Sequence, residues 1–220
     1  MKTNHSASTY VPALGYHWLT PCYDLVVGAT TRERTFKQAL LRQAAVESGH
    51  RVLDLACGTG TLALWIKQTV PSAEVTGADG DPRILALARE KSARAGRAVR
   101  FDQALSFNLP YADRQFDRVV SSLFFHHLVE EDKLRTLREL FRVLKPRGEL
   151  HIADWGRPTN PIMRVLSLSI RFLDGFAVTR DNVNGRLPER VRAAGFVDVR
   201  EGESFDTIFG TLTLHRARKP

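Results

Sequence analysis

The sequence predicts an α/β protein, a doubly wound seven-stranded sheet of five parallel strands plus a C-terminal antiparallel hairpin, with helices on both faces. Three observations carry that expectation. Short runs rich in β-formers alternate with segments of helical periodicity between Arg51 and Ala153. A glycine-rich turn follows the first of those runs, where sheets of this kind approach a ligand. Only Ser204-Phe205-Asp206 separate the last two runs. That is too short for the helical crossover a parallel pair needs, so the pair must be a hairpin.

Taken in order, the first 20 residues are polar or irregular and suit an arm or lid. Over 32–48, Phe36, Leu40, Leu41, Ala44 and Ala45 recur at helical spacing, and Gly49 offers a stop. A strand at 51–55 leads into a helix at 61–69 that carries Leu62, Leu64, Trp65 and Ile66. A strand at 75–78 follows, and Pro82 opens a helix running to Arg94. Strands at 99–101 and 116–122 come next, then a helix at 131–144 whose Leu134, Leu137, Leu140, Phe141 and Leu144 share one face. Pro146 and Gly148 are read as the turn into a fifth strand at 149–153. Helices at 161–173 and 187–194 break the alternation before strands at 197–203 and 207–216.

At 220 residues, one domain spanning 1–220 is expected. Its parts would be an arm at 1–31, a core at 32–156, a helical insertion at 157–195 and the hairpin at 196–220. No run reaches the roughly 20 apolar residues of a membrane span, and Met1 to Ser6 lack the apolar core of a secretory signal. A cytoplasmic location is therefore expected. Two cysteines, Cys22 and Cys57, make neither a disulfide framework nor a four-ligand zinc site, so no metal is expected. The net charge of +8 raises nucleic acid as a partner, but the arginines alternate with acids as in Arg32-Glu33-Arg34. That pattern describes solvated helix faces and argues against nucleic acid. The oligomeric state is not encoded in any pattern of this kind.

Gly58-Thr59-Gly60-Thr61-Leu62-Ala63 satisfies G-x-G-x-x-G/A after a strand, and Asp79 follows one strand-helix unit later. By itself this fits NAD or FAD as well as S-adenosylmethionine, and Asp79 would hold ribose hydroxyls in either. Helix capping near Pro82 falls to Asp81 instead. Asp54 separates the classes. Beside a pyrophosphate it would be repelled by on the order of several kcal/mol, whereas a methionine tail offers an ammonium and a sulfonium. Asp54 also suits a second role, accepting amide hydrogens that shape the turn.

Val52-Leu53-Asp54-Leu55-Ala56-Cys57-Gly58-Thr59-Gly60 resembles the first motif of the class I S-adenosylmethionine-dependent methyltransferases, a Rossmann-like family. Thr76-Gly77-Ala78-Asp79 with Leu85-Ala86-Leu87-Ala88-Arg89 resembles their second motif. The segments at 109–113, 116–122 and 140–150 resemble the entries to the fourth and fifth strands. The likeness covers about 23–150 and is nearest to the ubiquinone/menaquinone-biosynthesis type, including Tyr23-Asp24 ahead of the first strand. It implies S-adenosyl-L-methionine as cofactor. Asp54, Ala56, Gly58 and Gly60 would surround the methionine portion and Asp79 the ribose. Gly80 would lie against the adenine, Ser121 would lend its backbone near the amino-acid tail, and Tyr23, Ala104 and Leu105 complete the implied cofactor-binding set. Two positions depart from the family. Leu105 stands where an acid usually takes the adenine amino group, leaving a backbone carbonyl or Gln103 for that bond, and Arg147 replaces a usual glycine.

Ligands in such sheets lie beyond the carboxyl ends of the strands. Three segments emerge there: the arm with Tyr16, His17, Trp18 and Tyr23, then Phe124 to His127, then Asp154-Trp155-Gly156. His126, His127 and Asp154 are the candidates for a base acting on the acceptor. The competing reading of His127 is a brace for the next helix. Methyl transfer also proceeds by positioning alone. The apolar segment at 161–173, with Arg164 and Arg171 one heptad apart, would close the site over a small, partly apolar acceptor. Peripheral contact with a membrane surface through 161–173 is its other reading. Two alternatives to a methyltransferase stay open at this point: a protein that binds S-adenosylmethionine without turnover, and a nicotinamide-dependent oxidoreductase.

Overall fold

The computed structural model describes residues 32–174 and 182–220. Tyr16, His17, Trp18, Cys22 and Tyr23 lie outside the described residues. The strands are β1 Arg51–Leu55, β2 Glu74–Asp79, β3 Arg100–Gln103, β4 Phe116–Ser122, β5 Leu144–Trp155, β6 Val197–Thr207 and β7 Gly210–Arg218. The helices are α1 Glu33–Ala44, α2 Thr61–Thr69, α3 Pro82–Arg94, α4 Glu130–Val143, α5 Pro161–Asp174 and α6 Leu187–Ala193.

The sheet order is β3-β2-β1-β4-β5-β7-β6. The steps from β3 to β5 are parallel, and β7 is antiparallel to both β5 and β6. The hairpin therefore enters the sheet turned over: β7 lies against β5, and β6 forms the edge in the direction of the first five strands. Side-chain alternation divides the core between two faces. Val52, Val75 and Val120 pack with Phe36, Leu40, Leu62, Ile66 and Leu85, under α1, α2 and α3. Leu53, Leu55, Val119 and Ile152 pack with Leu137, Leu140 and Val191, under α4 and α6.

Three local expectations change. The first helix ends at Ala44 rather than at residue 48, because Ala45 itself turns left-handed (φ 42°) and its N–H closes on the Arg42 carbonyl. The turn expected at Pro146 and Gly148 is a distortion inside β5, which begins at Leu144, with a register shift against Phe116 and Arg118. Arg147 takes φ 65° there, and main-chain bonds to Lys219 from either side hold the strand. The hairpin turn is Ile208-Phe209, with Ser204-Phe205-Asp206 inside β6. The Thr207 hydroxyl donates to the Gly210 carbonyl and accepts the Phe209 N–H, closing a turn that starts four residues later than the sequence suggests.

Candidate active site

The glycine turn links β1 to α2 and is built around one aromatic ring. Gly77 pairs with Asp54 on one side and Phe101 on the other. A Cβ on Gly77 would lie 2.7 Å from the Phe101 ring and 2.9 Å from Cys57 Sγ, and one on Gly60 would lie 2.8 Å from the same ring. Both glycines let the turn settle onto Phe101. Gly58 differs: at φ 54° a Cβ would meet nothing within 4 Å, so its bare backbone faces open space. That is a cradle for a ligand.

Asp54 is 1% exposed and accepts the Ala63 N–H at 3.0 Å through Oδ2, tying β1 to the first turn of α2. Its Oδ1 has no hydrogen bond among the described residues. Burial pushes the carboxyl up to about 7, against the opposing pull of the Lys37 charge and the Ala63 N–H, with Asp79 adding a little. Asp79 accepts N–H bonds from Gly58 and Asp81, both at 3.0 Å, and burial raises its pKa as well. Asp81 caps α3 by accepting the Arg83 N–H at 2.8 Å. The two acids thus take the separate tasks the sequence suggests.

Beyond Asp79, a cavity of about 290 Å³ is lined by Gly80, Gln103, Ala104, Leu105, Asn108 and Pro110. Ala104 N–H is spent on the Asp79 carbonyl, and Gln103 reaches the Gly80 carbonyl at 3.4 Å. Leu105 is half exposed and offers only contact. Asn108 is a polar lining residue that sequence reasoning missed, although it stands directly before the Leu109-Pro110 pair.

The second group lies at the ends of β4 and β5. Asp154 is fully buried, and its Oδ1 sits 2.6 Å from His126 Nδ1 and accepts the Trp155 N–H at 2.7 Å. Its Oδ2 accepts the His126 N–H at 3.2 Å. Burial would raise this carboxyl, but the His126 charge and these hydrogen bonds outweigh burial and hold it below its ordinary value. The ring of the exposed His127 lies tilted at 41° against His126, with 3.9 Å between centroids. Ser121 is in register with Leu55 and Ile152 and fully buried, its hydroxyl without a partner among the described residues. The structure thus joins His126 to Asp154, which the sequence had offered as competitors. Cofactor-side and base-side candidates converge on the same strand edge.

A family model described as a methyltransferase domain matches residues 52–148, from β1 into β5. The demethylmenaquinone methyltransferase of Thermus thermophilus is 36% identical over 185 residues, covering 80% of this chain and 82% of the relative. The ubiquinone/menaquinone biosynthesis C-methyltransferase UbiE of Pseudomonas putida W619 is 31% identical over 210 residues, covering 91% and 81%. The chain belongs to the class I S-adenosylmethionine-dependent methyltransferases of the ubiquinone/menaquinone type. The apo crystal structure of the S-adenosylmethionine-dependent methyltransferase SibL shares the fold at a TM-score of 0.70, with 24% identity over 86% of this chain and 55% of that one.

The protein is therefore a methyltransferase that uses S-adenosylmethionine and acts on a small molecule. Its own geometry fits that cofactor: an open glycine cradle, a buried acid with a spare oxygen, and a second acid one strand away. Among the described residues no helix is long and apolar enough to cross a membrane. A second feature also escaped the sequence reading. Glu33 and Lys37, buried in the first turns of α1, form an ion pair beside Asp54. Their i, i+4 spacing alongside Phe36 and Leu40 was the available signal.

Proposed function

We propose that this methyltransferase places its methyl group on a ring carbon of a prenylated aromatic quinol, with His126 as the base and Asp154 as its positioning partner. The observation that carries the proposal is the 2.6 Å contact between His126 Nδ1 and Asp154 Oδ1. The names of the relatives, a demethylmenaquinone methyltransferase and a quinone-biosynthesis C-methyltransferase, support the choice of acceptor. When bound, S-adenosylmethionine supplies a methyl group already activated by its sulfonium.

The chain's residues divide the remaining work. Asp54 takes the ammonium of the methionine tail on its spare oxygen, while Ala56, Gly58 and Gly60 border that tail. Asp79 holds the ribose. Gly80, Ala104 and Leu105 face the adenine, and Ser121 closes the tail end from β4. With its ring held by Asp154, His126 is the base that takes the quinol hydroxyl proton. That deprotonation would place electron density on the ring carbon, to which the cofactor, held by Asp54, Asp79 and the glycine turn, would supply its methyl group. The ring carbon would then release its proton to water, restoring the aromatic ring, and His126 would return its proton to the quinol oxygen. Residues 32–156 form the cofactor core, α5 and α6 lie on the acceptor side, and the hairpin at 196–220 closes the sheet.

On α5, Met163 and Ser167 turn inward, and Ile162, Val165 and Leu168 remain exposed. That stripe suits the apolar tail of such an acceptor and the lipid that dissolves it. The test supplies the enzyme with methyl-labelled cofactor and a short-chain prenylated naphthoquinol, a catechol, phosphoethanolamine and a small thiol. Mass spectrometry should find the label on a ring carbon of the naphthoquinol. Label found only on oxygen, nitrogen or sulfur would refute the assignment.

A further inference from the structure

The C-terminal turn of α1 is anchored low on the sheet. Arg118, in register with Val52, donates to the Ala44 carbonyl at 2.9 Å, and Gln43 reaches the His215 carbonyl at 3.0 Å. Seven residues earlier, at 1.5 Å rise per residue, the helix has climbed about 10 Å toward the cofactor edge. Lys37 therefore comes up beside Asp54, on the α1–α2 side of the sheet. It is 9% exposed, and Glu33, equally buried, is its hydrogen-bonding partner.

An i, i+4 pair that served only the helix would do so equally well in water, without the desolvation that burial imposes on both charges. Here the pair sits against a third charge. The Lys37 charge acts on Asp54, so Glu33, Lys37 and Asp54 form a group of two carboxyls and one ammonium, and of the two Asp54 oxygens only Oδ2 has a hydrogen bond among the described residues. The methionine tail of the cofactor brings the complement: an ammonium, a sulfonium and one carboxylate. Asp54 accounts for the positive groups but leaves the tail carboxylate without a counter-charge. Lys37 is the cation placed to meet it.

We propose that Lys37, oriented by Glu33, binds the α-carboxylate of the S-adenosylmethionine tail. The inference rests on the cofactor orientation given under Proposed function, with the tail at Asp54. Lys37 is thus a cofactor-specificity residue that distinguishes an amino-acid tail from a simple aminopropyl one.

Calorimetry on the whole chain tests this with three ligands: S-adenosylmethionine, its decarboxylated form, which keeps the ammonium and sulfonium, and 5′-methylthioadenosine, which lacks the tail. Wild-type protein should bind the decarboxylated form about 30-fold more weakly, the size of one charge-assisted hydrogen bond. Lys37→Met should lose about the same 30-fold for S-adenosylmethionine and bind the decarboxylated form within about twofold of wild type. Lys37→Arg should recover most of the loss. Equal binding of the two forms by wild-type protein overturns the proposal without recourse to any variant. So does an equal loss for both ligands in Lys37→Met. Failure of wild-type protein to bind any of the three sinks the pocket assignment itself, whereas ordinary binding without carboxylate discrimination sinks only the role of Lys37.

Discussion

Asp54 and Asp154 are both buried carboxyl groups near the carboxyl ends of strands, and they lie on opposite faces of one sheet. Their protonation behaviour is opposite. Asp54 is pushed up to about 7 and Asp154 is held below its ordinary value. Burial penalises both alike, so the difference comes from partners. Asp154 has the His126 ring at 2.6 Å and two backbone N–H groups, whereas Asp54 has one N–H and a lysine already shared with Glu33. One acid is satisfied by the fold. The other is left for a cationic ligand to satisfy, and this is how a cofactor site differs from a preassembled base.

Exchanging each acid for its amide should separate the two roles. Asp54→Asn keeps the Ala63 bond but removes the charge, so cofactor affinity should fall about 100-fold by calorimetry. The same variant should melt at a higher temperature without cofactor, because an underpaired buried carboxyl is costly. Asp154→Asn should lower kcat about 30-fold by misorienting His126, with cofactor Kd within about twofold. A shift in cofactor Kd of similar size in both variants would collapse the distinction.

The pH dependence sharpens it. Asp54 carries a proton below about pH 7 and must release it to meet the cationic tail. Cofactor Kd should therefore rise as pH falls through 7, approaching about tenfold per unit, and Asp54→Asn should flatten the profile. Asp154, ionised throughout that range, adds no slope. In the absence of ligand the sign reverses. Folded Asp54 holds its proton up to about 7, whereas the unfolded chain releases it near 3.8, so this group favours the folded state at acid pH and loses that contribution as pH rises to 7. The smallest effect belongs to the adenine end. Leu105→Asp would restore an acceptor there and should tighten cofactor binding about threefold, with kcat unchanged.

Much of this site was legible in the chain. Asp54, Gly58, Gly60 and Asp79 are separated by one strand-helix unit, so local order fixes their relation, and Asp81 was readable as the cap of α3 for the same reason. His126 and Asp154 were each visible as candidates, but not their partnership. They are 28 residues apart, and only the pairing of β4 with β5 brings them together.

The sequence by itself determined the alternation of elements, the glycine turn and the family. These follow from periodicity and from short-range steric demands, which act along the chain. The tertiary structure decided the rest. It placed β7 between β5 and β6, moved the hairpin turn to Ile208-Phe209, and made Phe101 the reason for Gly60 and Gly77. It also set Lys37 beside Asp54 and gave two equally buried acids opposite pKa shifts. Such properties depend on which distant groups meet once water is excluded, and a charge or a close contact becomes decisive only after that exclusion.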